Sequence, residues 1–143
     1  MSQPSFCGAV PDGLLYDSLH DMWVRAQGDA LVIGATSFGV FQAGEIIGFT
    51  AKPKGAEVDC GRGMGTVECA KTVLAVHAPV SFVLVQANEV IEEDTHWLNQ
   101  DPYERGWMVR AHPRNWDTDR LQLVDAMTYR QHILERDPRA KFL

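Results

Sequence analysis

A short polar break between two β-rich runs constrains this chain more than any other feature. Glu68-Cys69-Ala70-Lys71-Thr72 separates Gly65-Thr66-Val67 from Val73-Leu74-Ala75-Val76-His77-Ala78-Pro79-Val80. Such a break predicts a β-hairpin, and a hairpin tip projects its side chains into solvent. Lys71 is therefore expected to be exposed on a stiff base. An exposed lysine is by itself only a surface charge, so its surroundings decide what it means.

Further β-rich runs recur at turn-bounded intervals along the chain. They are Leu31 to Ala35, Ile46 to Thr50, Ser81 to Ala87 and Trp107 to Ala111, with a short strand and a turn within Leu14 to Arg25. Pro53-Lys54-Gly55 and Asn88-Glu89 supply turn chemistry. Many short strands at such spacing predict a β-sandwich or barrel. Helical pieces are expected at Ser37 to Ala43, with Ser37 as cap, and at Glu92 to Asn99, ended by Asp101-Pro102. A longer helix is expected over residues 117–135, where Leu121, Val124, Met127 and Ile133 fall near helical spacing and Asp117 or Thr118 serves as cap. Residues 1–12 read as a loose N-terminal arm. The expected class is mainly β with short helices, in a single domain over residues 1–143, a length sufficient for a hydrophobic core.

Composition narrows the function. The formal net charge of −6 disfavours nucleic acid, whose phosphates require clustered lysine and arginine. No apolar run reaches the roughly 20 residues of a membrane span, and no signal-peptide pattern opens the chain, so a cytoplasmic location is expected. The three cysteines, Cys7, Cys60 and Cys69, form no Cys-x-x-Cys, and the histidines no His-x-x-x-His. Neither a disulfide framework nor a metal site is expected.

The residues around Lys71 carry a family resemblance. Gly-x-x-Glu-x-x-Lys, followed by an apolar strand with Ala78-Pro79-Val80-Ser81, resembles the attachment loop of lipoyl carrier domains. It is most similar to the H protein of the glycine cleavage system, with Glu-Ser-Val-Lys-Ala and then Ala-Pro-Val-Ser-Gly. Tyr16 to Arg25 resembles that family's Tyr…His-Glu-Trp-Val opening, and Ile33 to Phe38 its Val-Gly-Ile-Thr-Asp-Tyr. Gly44 to Phe49 falls at its Gly-Asp-Ile-Val-Phe-Val. Asn99 to Trp107 resembles its Asn-Glu-Asp-Pro-Tyr-Gly-Glu-Gly-Trp. The similarity spans roughly Leu14 to Ile133, and Gly55 precedes Lys71 by sixteen residues, as in lipoyl domains.

The resemblance implies a lipoyl/H-protein-like β-sandwich (a barrel-sandwich hybrid) bearing lipoic acid in amide linkage to Lys71. It implies a non-catalytic carrier whose arm visits partner enzymes, with the cofactor supplying the chemistry. Glu68 is expected to help lipoate-attaching enzymes recognise the loop, or else to be a solvated acid. Cys69 stands where the family has serine; it is either a thiol able to exchange with the dithiolane or a small residue in serine's place. His77 lies near a folded-back arm or is structural. Trp23 and Trp107 are expected in the core and its rim.

Several positions depart from the pattern. Cys69 replaces serine, Thr72 replaces alanine, Val40 to Ala43 replaces Gln-Glu-Ala-Leu, and Phe82 stands eleven residues after Lys71, where glycine is usual. Phe82 is expected either to disturb a turn and hinder general lipoylating enzymes, or to pack into the core with Val80 and Leu84. These departures resemble the lipoate-binding proteins of heterodisulfide-reductase-like sulfur oxidation. On that resemblance the arm carries sulfur intermediates and electrons to a heterodisulfide-reductase-like complex and a dihydrolipoamide dehydrogenase. The alternative is a glycine cleavage H protein carrying an aminomethyl group. An enzyme with Cys69 as nucleophile lacks an evident partner base. A biotin carrier would place methionine on both sides of the lysine, where Ala70 and Thr72 stand.

Overall fold

The structure, a computed structural model, describes residues 4 to 143. Its strands are β1 (Cys7–Gly8), β2 (Leu15–Asp17), β3 (Met22–Gln27), β4 (Ala30–Ala35), β5 (Ile46–Ala51), β6 (Glu57–Val58), β7 (Gly63–Cys69), β8 (Thr72–His77), β9 (Phe82–Ala87), β10 (Val109–Pro113) and β11 (Lys141–Phe142). Its helices are α1 (Ser37–Ala43), α2 (Glu89–Glu93), α3 (His96–Gln100), α4 (Trp116–Asp119) and α5 (Ala126–Arg136). The mainly β class with short helices is as expected from the turn-bounded runs.

Six strands form one sheet in the order β2-β3-β4-β10-β9-β6, and three form another in the order β5-β7-β8. Alternation sorts their side chains by face. In β7, Val67 and Cys69 are buried while Thr66 and Glu68 are exposed. Phe49, Met64, Val67, Val80, Phe82, Leu84 and Ile33 share one buried cluster. Gly65 is required where β7 crosses β5: a Cβ there would lie 2.5 Å from the carbonyl oxygen of Thr50. Glycine alone permits that backbone approach.

Four expectations change. Thr36, not Ser37, caps α1: its Oγ1 accepts from the Gly39 N–H at 3.0 Å. The helix expected at Glu92 to Asn99 is two helices, α2 and α3, with α2 capped by Asn88. The helix expected over residues 117–135 is broken. Leu123 turns extended after α4 and a 3-10 turn at Arg120–Gln122, Val124 bridges to Tyr16, and α5 begins afresh with Asp125 as cap. Asp125 Oδ1 accepts from the Thr128 N–H at 2.9 Å, a stronger start signal than Asp117 provides.

The N-terminal arm is also tied down over its described residues. β1 pairs in parallel with β11, and Phe6 and Val10 are buried. They join a second cluster with Tyr16, Trp23, Phe38, Tyr103, Tyr129 and Ile133 beneath α5. The remainder of the arm, residues 1–3, lies outside the described residues.

Candidate functional site

The hairpin is tighter than the polar break suggests. β7 and β8 pair up to Cys69 opposite Thr72, so only Ala70 and Lys71 form the turn. Neither has positive φ; among the described non-glycine residues that conformation belongs to Asp21. The turn is therefore not of the primed type that most two-residue hairpins use. Lys71 is exposed and joins no ion pair among the described residues. Its amine is free for amide formation on a base held by strand pairing.

Glu68 faces outward on the flank of this hairpin, opposite Gly48 of β5. A Cβ at Gly48 would lie 3.0 Å from Glu68 Oε2, so the missing side chain makes room for the carboxylate to lie across the strand. Cys69 points the other way. It is 7% exposed and belongs to the main core. Thiol exchange needs an accessible thiolate, so the reading of Cys69 as a thiol beside the arm is corrected: it packs as a small apolar residue. Cys60 is half-buried, and burial, with Asp119 and Asp17 adding to it, pushes its thiol pKa up. Neither Cys69 nor Cys60 therefore supports sulfur exchange.

Phe82 is fully buried at the start of β9, paired with Val58 and Pro113, and has no positive φ. Its place is core packing with Val80 and Leu84; the expected disturbance of a turn is not found. Trp23 is buried, and its Nε1 donates to the Pro102 carbonyl at 3.1 Å. The Asp101-Pro102-Tyr103 turn is structural: Tyr103 OH donates to Ala9 O at 2.8 Å and accepts from the Ser37 N–H at 3.0 Å.

Sequence reasoning missed a cleft of about 280 Å³ that runs along β8. Leu74, Ala75, Val76 and His77 form one wall, and Met22, Val40, Ile46 and Met108 contribute to the rest. At one end the rings of His20 and His77 stack with centroids 4.7 Å apart. Asp21 also lines it. Tyr129 OH donates to Asp21 Oδ1 at 2.9 Å, and Arg136 donates to Oδ2 at 3.1 Å. Tyr129 is thereby left to accept from the Thr36 hydroxyl at 2.7 Å. Burial first, then the Asp21 charge, drives the Tyr129 phenol pKa far up and keeps it protonated. The sequence signal for this network was weak, because Asp21 and Thr36 lie 93 to 115 residues before Tyr129 and Arg136. Among the described residues, no group of three or more His, Cys, Asp or Glu is placed to hold a metal ion.

Residues 14–136 match the sequence profile described as Glycine cleavage H-protein. The chain belongs to that family. It is 32% identical over 128 residues to the glycine cleavage system H protein of Anaeromyxobacter sp. (strain K), covering 90% of this chain and 98% of the relative. It is 34% identical to that of Halalkalibacterium halodurans over 127 residues, covering 88% of this chain and 97% of the relative. The crystal structure of a glycine cleavage system H protein from Mycobacterium marinum superposes with a TM-score of 0.72 at 27% identity, covering 85% of this chain and 96% of that one. Proteins of the glycine cleavage H-protein family carry lipoic acid covalently on a lysine. In this member, the exposed amine at a rigid tip with an apolar cleft alongside fits such a group.

Proposed function

We propose that this chain is a lipoyl carrier protein, not an enzyme, with lipoic acid in amide linkage to Lys71. The observation that carries this is the exposed lysine on the two-residue β7–β8 turn, without an ion pair among the described residues and inside the matched family region. Bound there, the group supplies a dithiolane that opens and closes by reduction and oxidation. The protein's own residues hold the base of the arm still. Strand pairing on both sides of Ala70 and Lys71 fixes the attachment point, while the exposed tip leaves the arm free to visit several partners at high effective concentration. Glu68, lying across Gly48 beside the tip, is the residue we assign to recognition by lipoate-attaching enzymes.

The names of the relatives support a place in glycine cleavage. There the arm carries an aminomethyl group between a decarboxylase, an aminomethyltransferase and dihydrolipoamide dehydrogenase. A second reading, sulfur cargo passed to a heterodisulfide-reductase-like complex, rests on the departures from the family pattern at Cys69 and Val40 to Ala43. Intact mass of the protein from its native host tests the shared carrier reading. A lipoyl increment that disappears in Lys71→Arg is expected; an increment retained on that variant overturns the assignment. Rescue of a strain lacking its glycine cleavage H protein separates the two cargo readings, since normal growth would favour the aminomethyl group.

A further inference from the structure

A sheet edge carries unpaired backbone N–H and C=O groups, and folded chains keep it from pairing with a foreign strand by cover, charge, proline or shortness. The two larger sheets end at β2, β6, β5 and β8. The first three of these edges are protected. Tyr16 of β2 is bridged by Val124, and β6 spans only Glu57–Val58. On β5, the Ile46 N–H donates to Asn99 Oδ1 at 3.1 Å, and the Ile46 carbonyl accepts from Asn99 Nδ2 at 3.1 Å. β8 has no such protection. Thr72-Val73-Leu74-Ala75-Val76-His77 contains no Lys, Arg, Asp, Glu or Pro. Among the described residues, no backbone hydrogen bond joins it to any segment other than β7.

The tight turn decides which groups of β8 face outward. Opposed residues in an antiparallel pair alternate between hydrogen-bonded and non-hydrogen-bonded. With only Ala70 and Lys71 in the turn, Cys69 and Thr72 form a hydrogen-bonded pair, and Val67 and Leu74 form the next. Val73 and Ala75 therefore turn their N–H and C=O groups away from β7. Their side chains are exposed, and Leu74 between them is 41% exposed.

We propose that this edge binds a second copy of the unmodified chain, β8 against β8, antiparallel across a twofold axis at Leu74. In that register Val73 of each copy exchanges N–H···O=C bonds with Ala75 of the other, Leu74 meets Leu74, and Lys71 comes opposite His77. Two features select the chain's own copy. The strand is uncharged, so self-pairing sets no like charges opposite one another within it. Its two ends also differ in sign. Lys71 stands exposed at one end. At the other, the His20 ring stacks on His77 with centroids 4.7 Å apart, and Asp17 Oδ2 lies 2.8 Å from His20 Nδ1. The antiparallel twofold brings each Lys71 towards the Asp17 end of the other copy, whereas parallel pairing would set the two lysines together. An amide on Lys71 removes one of these charges, which is why the second copy is assigned as unmodified; the pairing itself does not require Lys71 to bear an arm. One strand pair is small beside the roughly 1,600 Å² of a standard interface, so the association is weak and concentration-dependent.

Sedimentation of the unmodified full chain, with amide hydrogen exchange on the same samples, tests this. A monomer–dimer equilibrium with a midpoint below about 1 mM is expected, the range of weak contacts. Exchange at the Val73 and Ala75 amides should slow as the dimer fills. Ala75→Pro removes a donor from the free edge and none from β7, a placement that edge strands tolerate; it is expected to weaken association at least about tenfold with the circular dichroism spectrum unchanged. Leu74→Lys and Leu74→Glu each set like charges opposite one another at the twofold. Each is expected to stay monomeric alone, and the equimolar mixture to form a heterodimer. This pair carries the test if Ala75→Pro does not fold. A monomer at all concentrations up to about 1 mM would overturn the proposal and leave the edge to an extended segment of a different protein. A dimer indifferent to a folded Ala75→Pro, or Leu74 variants that stay apart when mixed, would overturn it equally. Intact mass at Lys71 is read on a separate sample, so failure of the attachment reading and failure of self-pairing are told apart.

Discussion

At the scale of single residues, accessibility decides which chemistry a side chain can perform. Cys7 is exposed, Cys60 half-buried with its thiol pKa pushed up, and Cys69 buried. Alkylation of the native protein is therefore expected to label Cys7 first and Cys69 only after unfolding, a sequence that peptide mass mapping reads directly. Labelling of Cys69 at the rate of Cys7 would restore the accessible-thiol reading. Phe82 has a matching test. A fully buried aromatic ring truncated to alanine removes contacts and leaves a cavity, so Phe82→Ala should lower stability by about 3–5 kcal/mol. A urea midpoint within experimental error of the parent protein would contradict its place in the core.

At the scale of elements, the C-terminal segment shows where periodicity misleads. Leu121, Val124, Met127 and Ile133 suggested one helix, yet Leu121 and Met127 are 76% and 66% exposed, and the chain breaks at Leu123 to bridge Val124 to Tyr16. A helical spacing of apolar residues cannot show that two of them face water. The real start of α5 rests on Asp125, whose pKa is lowered chiefly by the Thr128 backbone hydrogen bond. A carboxyl depressed in the folded state adds stability above the ordinary aspartate range and loses it as pH falls through its lower native value. Asp125→Ala should therefore unfold at a lower temperature than the parent at neutral pH. The gap should close in acid below the carboxylate range, as followed by circular dichroism at several pH values. The β7–β8 hairpin, by contrast, was legible from Gly65 to His77, because turn and strand signals there are local.

At the scale of the whole molecule, buried hydrogen bonds among Asp21, Thr36 and Tyr129 join distant segments of the chain. Tyr129→Phe removes the hydroxyl that donates to Asp21 and accepts from Thr36, leaving buried groups short of a partner. A loss of about 1–3 kcal/mol in chemical denaturation is expected. An arm on Lys71, however, is anchored at an exposed tip outside both clusters. Lipoylated and unmodified protein should unfold at nearly the same temperature, and a shift of several degrees by calorimetry would make the arm part of the structure.

The sequence by itself determined the β-rich class, the lysine hairpin and the family pattern. Alternation, turn chemistry and short motifs act over a few residues and survive without knowledge of the fold. Only the tertiary structure decided that Cys69 and Phe82 face inward and that the N-terminal arm pairs with the last strand. The same holds for the stacking of His20 on His77 and for the pairing of Asp21 with Tyr129 and Arg136, 108 and 115 residues away. These depend on which face of each strand is covered and on which distant segments meet, and side-chain burial and charge pairing are set by those contacts rather than by order along the chain.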